Sequence, residues 1–392
     1  MKTLKRTWAD ISLDNLEYNY RSICAHQPQG TKFLGVMKAD AYGHGAVPVS
    51  RALADLGAEY LAVSNLEEAV QIRRGEVRLP ILILGYTPAE YAANMIFLDI
   101  TQEVHSLEYA RELNEALAGT NYILNVHLKL DTGMTRIGFF AYDDERTLDE
   151  LRQVAQLPHL HIEGVFMHFC VADSRAEADV SFTKLQYKRF MDMLSAMAGV
   201  GIRPEIRHCC NSGATILYPE FALDMVRPGI ITYGNAPSDE LEGALSLRPM
   251  MSLHSMIAQV RTVPAGTDIS YGRLYRTKEE TRVAVLPIGY ADGLSRLLTG
   301  KASFYLQGHQ VPVIGRICMD MCMIDVSGVP EAKPGDVVTI FGYDDDGTLL
   351  PCERLARAQG TINYELLCQI SKRIPRICHR GAETSQILQY IV

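Results

Sequence analysis

A chain of 392 residues is longer than one ordinary domain, and its 47% apolar and 21% charged residues exclude disorder, collagen and a coiled coil. The 38 Lys and Arg against 46 Asp and Glu leave a formal charge of −8, which repels a phosphate backbone and gives an anionic membrane no basic patch, so neither nucleic acid nor a membrane is an expected partner. Nine cysteines, an odd number at spacings that form no disulfide framework, point to reduced thiols in a cytoplasmic protein.

The opening MKTLKRTWADISLDN leads straight into an amphipathic helix without an apolar signal core, and no apolar run approaches the ~18 residues of a membrane span. From residue 33 short apolar runs alternate with amphipathic stretches, the pattern of βα units on a parallel sheet. The predicted strands are Phe33–Lys38, Tyr60–Val63, Ile81–Leu84, Ile96–Ile100, Tyr122–Leu130, Leu160–His168, Glu205–His208 and Ile230–Tyr233. Helical spacing is clear over Val47–Leu56 and Leu66–Arg74. Eight units before residue 235 match the ~250 residues of a TIM barrel. A doubly wound open sheet is the alternative, although no G-x-G-x-x-G follows the first strand. After about residue 245 the texture becomes β-rich, with runs at Met256–Val263, Arg282–Pro287, Gln310–Gly315, Met323–Val326 and Asp336–Phe341. The fold class is therefore α/β: an N-terminal (β/α)8 barrel over residues 1–243, followed by a smaller, mainly β domain over 244–392. The first eleven or so residues are expected to pack with the second domain.

Chemistry concentrates at predicted strand ends. Lys38, in VMKADAYGHG, falls at the C-terminal end of the first strand, where barrel active sites lie; crowding there favours a free amine able to form a Schiff base. A solvated strand-end lysine is the plain alternative. In VHLKLDTGMTRIG, alternation puts His127, Lys129 and Asp131 on one face, opposite Val126, Leu128 and Leu130. A buried parallel strand with three such residues needs partners for them, in a site or in a structural salt-bridge network. Asn211-Ser212-Gly213 follows the seventh predicted strand and Arg227-Pro228-Gly229-Ile230 precedes the eighth, the region where barrels commonly hold a phosphate. The β domain carries SYGR around Tyr271, GYADG at 289–293, GRICMDM at 315–321 and TINYE at 361–365, more Gly- and Tyr-rich motifs than turns alone require. His208-Cys209-Cys210 and Cys318 with Cys322 lack the spacing of a tetrahedral set, so no metal is expected.

Taken in order, VMKADAYGHG, HLKLDTGMTRIG, NSG, DMVRPGI, SYG, GYADG, GRICMDM and TINYE resemble the pyridoxal-phosphate alanine racemases over essentially the whole chain. That resemblance implies a TIM barrel followed by a β domain. It also implies interconversion of L- and D-alanine, with D-alanine supplied to peptidoglycan. By motif, Lys38 would bind pyridoxal 5′-phosphate as a Schiff base and Tyr271 would be the second base on the opposite face of Cα. Arg227 would face the pyridine nitrogen as a hydrogen-bond donor that keeps its proton, weakening the electron sink and disfavouring transamination. Tyr42, Ser212, the Gly229–Ile230 backbone and Tyr364 would hold the phosphate, with His168 near the ring. Arg136 would hold the tyrosine and the substrate carboxylate, helped by the Met319 N–H, and Lys129 matches a position carbamylated in some members. The family forms homodimers in which the tyrosine and the methionine reach the partner's barrel.

The nearest rival is a serine racemase of the vancomycin-resistance type, which HFCVAD at 168–173 and CCNSG at 209–213 resemble. Tyr364 keeps the tyrosine of the alanine enzymes, where the serine branch carries a smaller polar residue. Barrel-plus-β-domain decarboxylases and non-enzymatic pyridoxal-phosphate carriers are the remoter alternatives. The former should lack the SYG and GRICMDM series, and the latter lack a β domain.

Overall fold

The computed structural model describes residues 6–142 and 144–391. The chain divides into two compact units. One comprises Leu16–Ala41 with Ala46–Arg248; the other comprises the described part of Met1–Asn15, Tyr42–Gly45 and Pro249–Val392.

The first strand, β1 (Thr7–Ser12), precedes the first helix, Leu13–His26. The expectation of a helix running straight from the N-terminus is thus corrected, and Met1–Lys5 lie outside the described residues. The reason is non-local: β1 pairs antiparallel with Met251–Met256 and parallel with Arg376–Arg380, partners more than 230 residues away.

The larger unit is a parallel barrel. Its strands are β2 (Lys32–Val36), β3 (Tyr60–Val63), β4 (Ile81–Ile83), β5 (Ile100–Val104), β6 (Leu124–Asp131), β8 (Leu160–Phe166), β9 (Ile206–His208) and β10 (Met225–Val226); a short β7 (Phe139–Phe140) pairs only with β6. Successive strands pair in parallel register, and β10 returns to β2 through Met225 opposite Lys32. The seam between β9 and β10 is joined by Asp224 N–H to Arg207 O (3.0 Å) and Arg227 N–H to Cys210 O (2.9 Å). Helices alternate with the strands. Leu66–Arg74, for example, begins where the Asn65 side chain accepts the Glu68 N–H, carries Glu67 and Glu68 in its first turn, and ends with Arg73 and Arg74.

Two predicted strands are displaced. Ile96 and Phe97 belong to a helix, Ala92–Phe97, and the strand begins at Ile100. That strand reads ITQEV, and its buried Thr101, Gln102 and Glu103 concealed it from a search for apolar runs. Ile230–Tyr233 is a buried 3-10 helix closed by left-handed Gly234, and the eighth strand is the two-residue β10 before Arg227. Arg227-Pro228-Gly229 therefore follows the eighth strand, at the C-terminal end of the barrel.

The smaller unit is a mainly β structure. Its long sheet orders Gln259–Val263, Thr281–Leu286, Cys322–Asp325, His309–Ile314, Ser303–Leu306, Val337–Tyr343, Met251–Met256, β1, Arg376–Arg380 and Glu383–Leu388. Helices Cys352–Gln359 and Asn363–Gln369 complete it. All nine cysteines are free thiols, and among the described residues no helix is long and apolar enough to cross a membrane.

Candidate active site

Lys38 follows β2, and the segment around it is held by backbone contacts. The Met37 N–H donates to Ala62 O (2.7 Å), the Tyr233 hydroxyl donates to Val36 O (2.6 Å), and the Ala39 N–H donates to Glu68 Oε1 (2.7 Å). Ala39, Asp40, Ala41 and Tyr42 all have φ between 52° and 56°, a left-handed run built without glycine. Such conformations cost roughly 1–2 kcal/mol per residue and persist where surrounding structure enforces them. Asp40 supplies part of that enforcement, accepting from the Ala46 N–H (2.8 Å) and Gln71 (3.2 Å).

The three polar residues of β6 are buried and find separate partners. His127 bonds to His208 (2.8 Å), Lys129 Nζ donates to Leu130 O (3.1 Å), and Asp131 accepts from the Gly133 and Thr135 N–H groups (2.8 and 3.1 Å). Gly138 lies against this strand so closely that a Cβ would meet Lys129 O at 2.8 Å. Arg136 is exposed on the loop that Asp131 organises.

Arg227 is 3% exposed and anchored by its terminal nitrogens. It donates to Met167 O (2.7 Å), Cys209 O (3.0 Å) and His208 Nδ1 (3.0 Å), and lies 3.3 Å from His168 Nδ1. Burial brings its pKa down to about 10, so it stays cationic at neutral pH. Burial and then the charges of Arg227, Lys129, Arg136 and Lys38 push His168 well below the usual histidine range, leaving a neutral imidazole.

Ser212 opens the helix Ser212–Leu217, and its Oγ accepts the Gly229 N–H (2.9 Å), which leaves the hydroxyl proton to donate elsewhere. Gly213 admits no side chain: a Cβ would lie 2.9 Å from the Ala172 carbonyl. The first N–H groups of the helices starting at Ser212 and Ile230 have no intrahelical acceptor. Hydroxyl, backbone N–H groups and nearby cations make a donor set suited to a phosphate. The Arg227 Nε–H, which bonds to none of the described residues, is suited to a heteroaromatic nitrogen. The residues therefore fit pyridoxal 5′-phosphate.

The remaining sequence candidates belong to the smaller unit. The Tyr42 and Tyr364 rings lie 6.0 Å apart, and burial pushes the Tyr42 phenol up. Tyr271 sits on a 3-10 turn between Ser270 (φ 66°) and Gly272 (φ 73°) and is 69% exposed. The Ser270 hydroxyl donates to Arg316 O (2.6 Å), tying SYG to GRICMDM, where Met319 is 53% exposed. GYADG completes the cluster. Gly289 lies against the Cys318 and Met319 carbonyls where no Cβ fits, and buried Asp292 accepts the Gly289 N–H (3.0 Å). Among the described residues no group of three or more His, Cys, Asp or Glu could hold a metal.

Sequence reasoning missed Tyr233 and Glu163. Glu163 accepts from Tyr60 (2.7 Å) and lies 3.1 Å from His127. Its signal was one carboxylate beside a glycine inside the strand LHIEGVF.

Residues 11–237 match the family model of the alanine racemase N-terminal domain, and residues 250–378 match that of the C-terminal domain. The alanine racemase of Desulfovibrio desulfuricans is 46% identical over 94% of this chain and 97% of its own, and that of Clostridium tetani is 42% identical over 100% of both. Among solved structures, the alanine racemase of Clostridium difficile superposes with a TM-score of 0.93 at 39% identity, covering 100% of both chains. That of Bacillus anthracis, with bound L-Ala-P, also gives 0.93 at 34% identity, covering 100% of this chain and 99% of its own.

Proposed function

Because the chain belongs to the alanine racemase family over essentially its whole length, we propose that it interconverts L- and D-alanine with pyridoxal 5′-phosphate, supplying D-alanine for peptidoglycan in the cytoplasm. The observation that carries this reading is the barrel mouth itself. Arg227, buried and anchored by its terminal nitrogens, lies 3.3 Å from His168, and Ser212 Oγ accepts the Gly229 N–H beside the Ile230 turn, a setting for one phosphate-bearing cofactor.

Bound pyridoxal phosphate supplies the electron sink that makes the substrate Cα–H acidic. The chain's residues set where the proton goes. Lys38 Nζ takes or returns it on one face of Cα and the Tyr271 hydroxyl on the other, the minimum for inversion. Arg227, its terminal nitrogens anchored, would donate to the pyridine nitrogen, and because it keeps its proton it would temper the sink. Ser212 with the Gly229 and Ile230 backbone would bind the phosphate; by motif Tyr42 and Tyr364 would serve the same group, and Arg136 and the Met319 N–H would hold the substrate carboxylate. Tyr271, Leu274, Leu297, Met319 and Met321 are large apolar side chains left exposed on or near the SYG and GRICMDM segments, which supports a homodimer that covers them and shares its active sites.

Chiral chromatography after incubation with L-alanine or L-serine tests the assignment. D-alanine should form with the higher kcat/KM. A preference for serine would move the protein to the serine branch, and carbon dioxide release would make it a decarboxylase.

Lys129 carries a second expectation. Burial, then Arg227 and Arg136, bring its pKa down to about 7, against the opposing pull of Asp131 and Glu103. The neutral amine predominates above that pH and is lost as pH falls through it. Only the neutral amine adds carbon dioxide, releasing a proton and leaving a carbamate anion beside Arg136. With 13C-bicarbonate at pH 8, a carbamate resonance should appear, fade below pH 7, and be missing in Lys129→Gln. Its absence from the unmutated protein at pH 8 would remove the modification.

A further inference from the structure

We propose that Glu163 is a positioning residue that, through His127 and His208, fixes which imidazole nitrogen faces Arg227. The proposal rests on the reading of Arg227 as the partner of the cofactor ring, but its geometry is independent of any cofactor.

Arg227, His208, His127 and Glu163 form one line of hydrogen bonds across the barrel. Arg227 meets His208 Nδ1 (3.0 Å), His208 Nε2 meets His127 Nδ1 (2.8 Å), and His127 Nε2 meets Glu163 Oε2 (3.1 Å). The two ends dictate its direction. A guanidinium has only donors, so His208 Nδ1 is bare and its proton sits on Nε2. That proton occupies His127 Nδ1 as acceptor, so the His127 proton also sits on Nε2, aimed at a carboxylate that only accepts. Both rings are fully buried, and burial drives both below the usual histidine range, so each carries a single proton. Glu163 stays ionised: burial pulls its pKa up, but the hydrogen bonds from His127, Tyr60 and Thr101 outweigh it and hold the carboxyl low.

The barrel is built to admit this line. Along β6 and β8, Val126 pairs with Ile162 and His127 with Gly164, so Glu163 is the extra residue of a β-bulge. A bulge re-aims its side chain, here onto His127. Gly164 supplies the space, since a Cβ there would stand 2.5 Å from the His127 ring. The His208 ring is stacked on Phe166 at 4.9 Å and cannot turn without disturbing that contact. Tyr60 and Thr101 hold the far end, donating to the same Glu163 oxygen at 2.7 and 3.3 Å.

Tyr60, Thr101 and His127 all meet the same Oε2, so in Glu163→Gln the amide oxygen stands in that place and keeps every bond. Glu163→Leu removes the acceptor. The Tyr60 and Thr101 hydroxyls then turn to His127 Nε2, so His127 carries its proton on Nδ1, His208 follows, and a second donor faces Arg227. The test is 15N NMR of histidine-labelled, cofactor-loaded protein. The unmutated chain should show both rings protonated at Nε2. In Glu163→Leu both should shift toward Nδ1–H, with kcat lower by about tenfold, the size of one lost hydrogen bond, and KM within about twofold, whereas Glu163→Gln should keep both rings protonated at Nε2. Tyr60→Phe, which keeps the carboxylate, should leave both tautomers in place.

Nδ1–H rings in the unmutated protein, unchanged tautomers in Glu163→Leu, or the same shift in Tyr60→Phe would each overturn the proposal. The tautomers of the unmutated protein decide it even where a variant folds poorly. Shifted tautomers with an unmoved kcat would leave the relay standing and sink the role of Arg227 at the cofactor.

Discussion

Lys38→Ala is expected to lose both the visible absorption of lysine-bound cofactor and racemisation, with kcat down by at least about 10³-fold, while its thermal unfolding is nearly unchanged. The stability half follows from how the lysine is placed. Its side chain is exposed, and the segment is fixed through backbone atoms: Met37 N–H to Ala62, Val36 O to Tyr233, and Ala39 N–H to Glu68. Truncating the side chain removes none of these, and surface substitutions away from buried features usually stay within ~0.5 kcal/mol. The activity half follows because Lys129, the other lysine among the candidate site residues, is not placed to replace it. Lys129 is 6% exposed and donates to a carbonyl of its own strand. Absorption spectra of protein incubated with pyridoxal phosphate, with calorimetry alongside, separate the two halves. A visible band that survives the substitution would place the attachment elsewhere.

Much of the site was legible because it is written in short local motifs at strand ends. Lys38, Ser212 and Arg227 fall there, and the βα rhythm supplied the barrel that gathers them. What escaped has a common cause in long-range structure. Strand β1 exists only because Met251–Met256 and Arg376–Arg380 flank it. The strand ITQEV is polar in sequence and buried in fact, with Gln102 Nε2 donating to Gly85 O and Glu103 Oε1 meeting His105, while Gln102 Oε1 and Glu103 Oε2 are buried without a hydrogen-bond partner among the described residues. Glu163 was not singled out, because the bulge that turns it onto His127 depends on how β8 pairs with β6. The left-handed run after Lys38 was equally invisible, because Ala39, Asp40 and Ala41 have no intrinsic preference for it.

Tyr271→Phe should behave in the opposite manner to the lysine variant: full visible absorption, and racemisation lower by about 10²–10⁴-fold, the range a positioned proton-transfer group supplies. The ring keeps its volume and the turn keeps its anchor, since Ser270 rather than Tyr271 bonds to Arg316. Only a hydroxyl is lost. With Lys38 intact, Cα–H of one alanine enantiomer should still exchange with deuterated water while the other does not, because a single base serves a single face. Exchange of both enantiomers, or full racemisation, would end the two-base assignment. The same pair of variants tests whether sites are shared. If Tyr271 serves the partner's barrel, mixing Lys38→Ala with Tyr271→Phe chains rebuilds one complete site in each mixed dimer. Half of randomly reassorted dimers are mixed, so about one quarter of the original activity should return. If each chain completes its own site, every site in the mixture lacks a base and none returns.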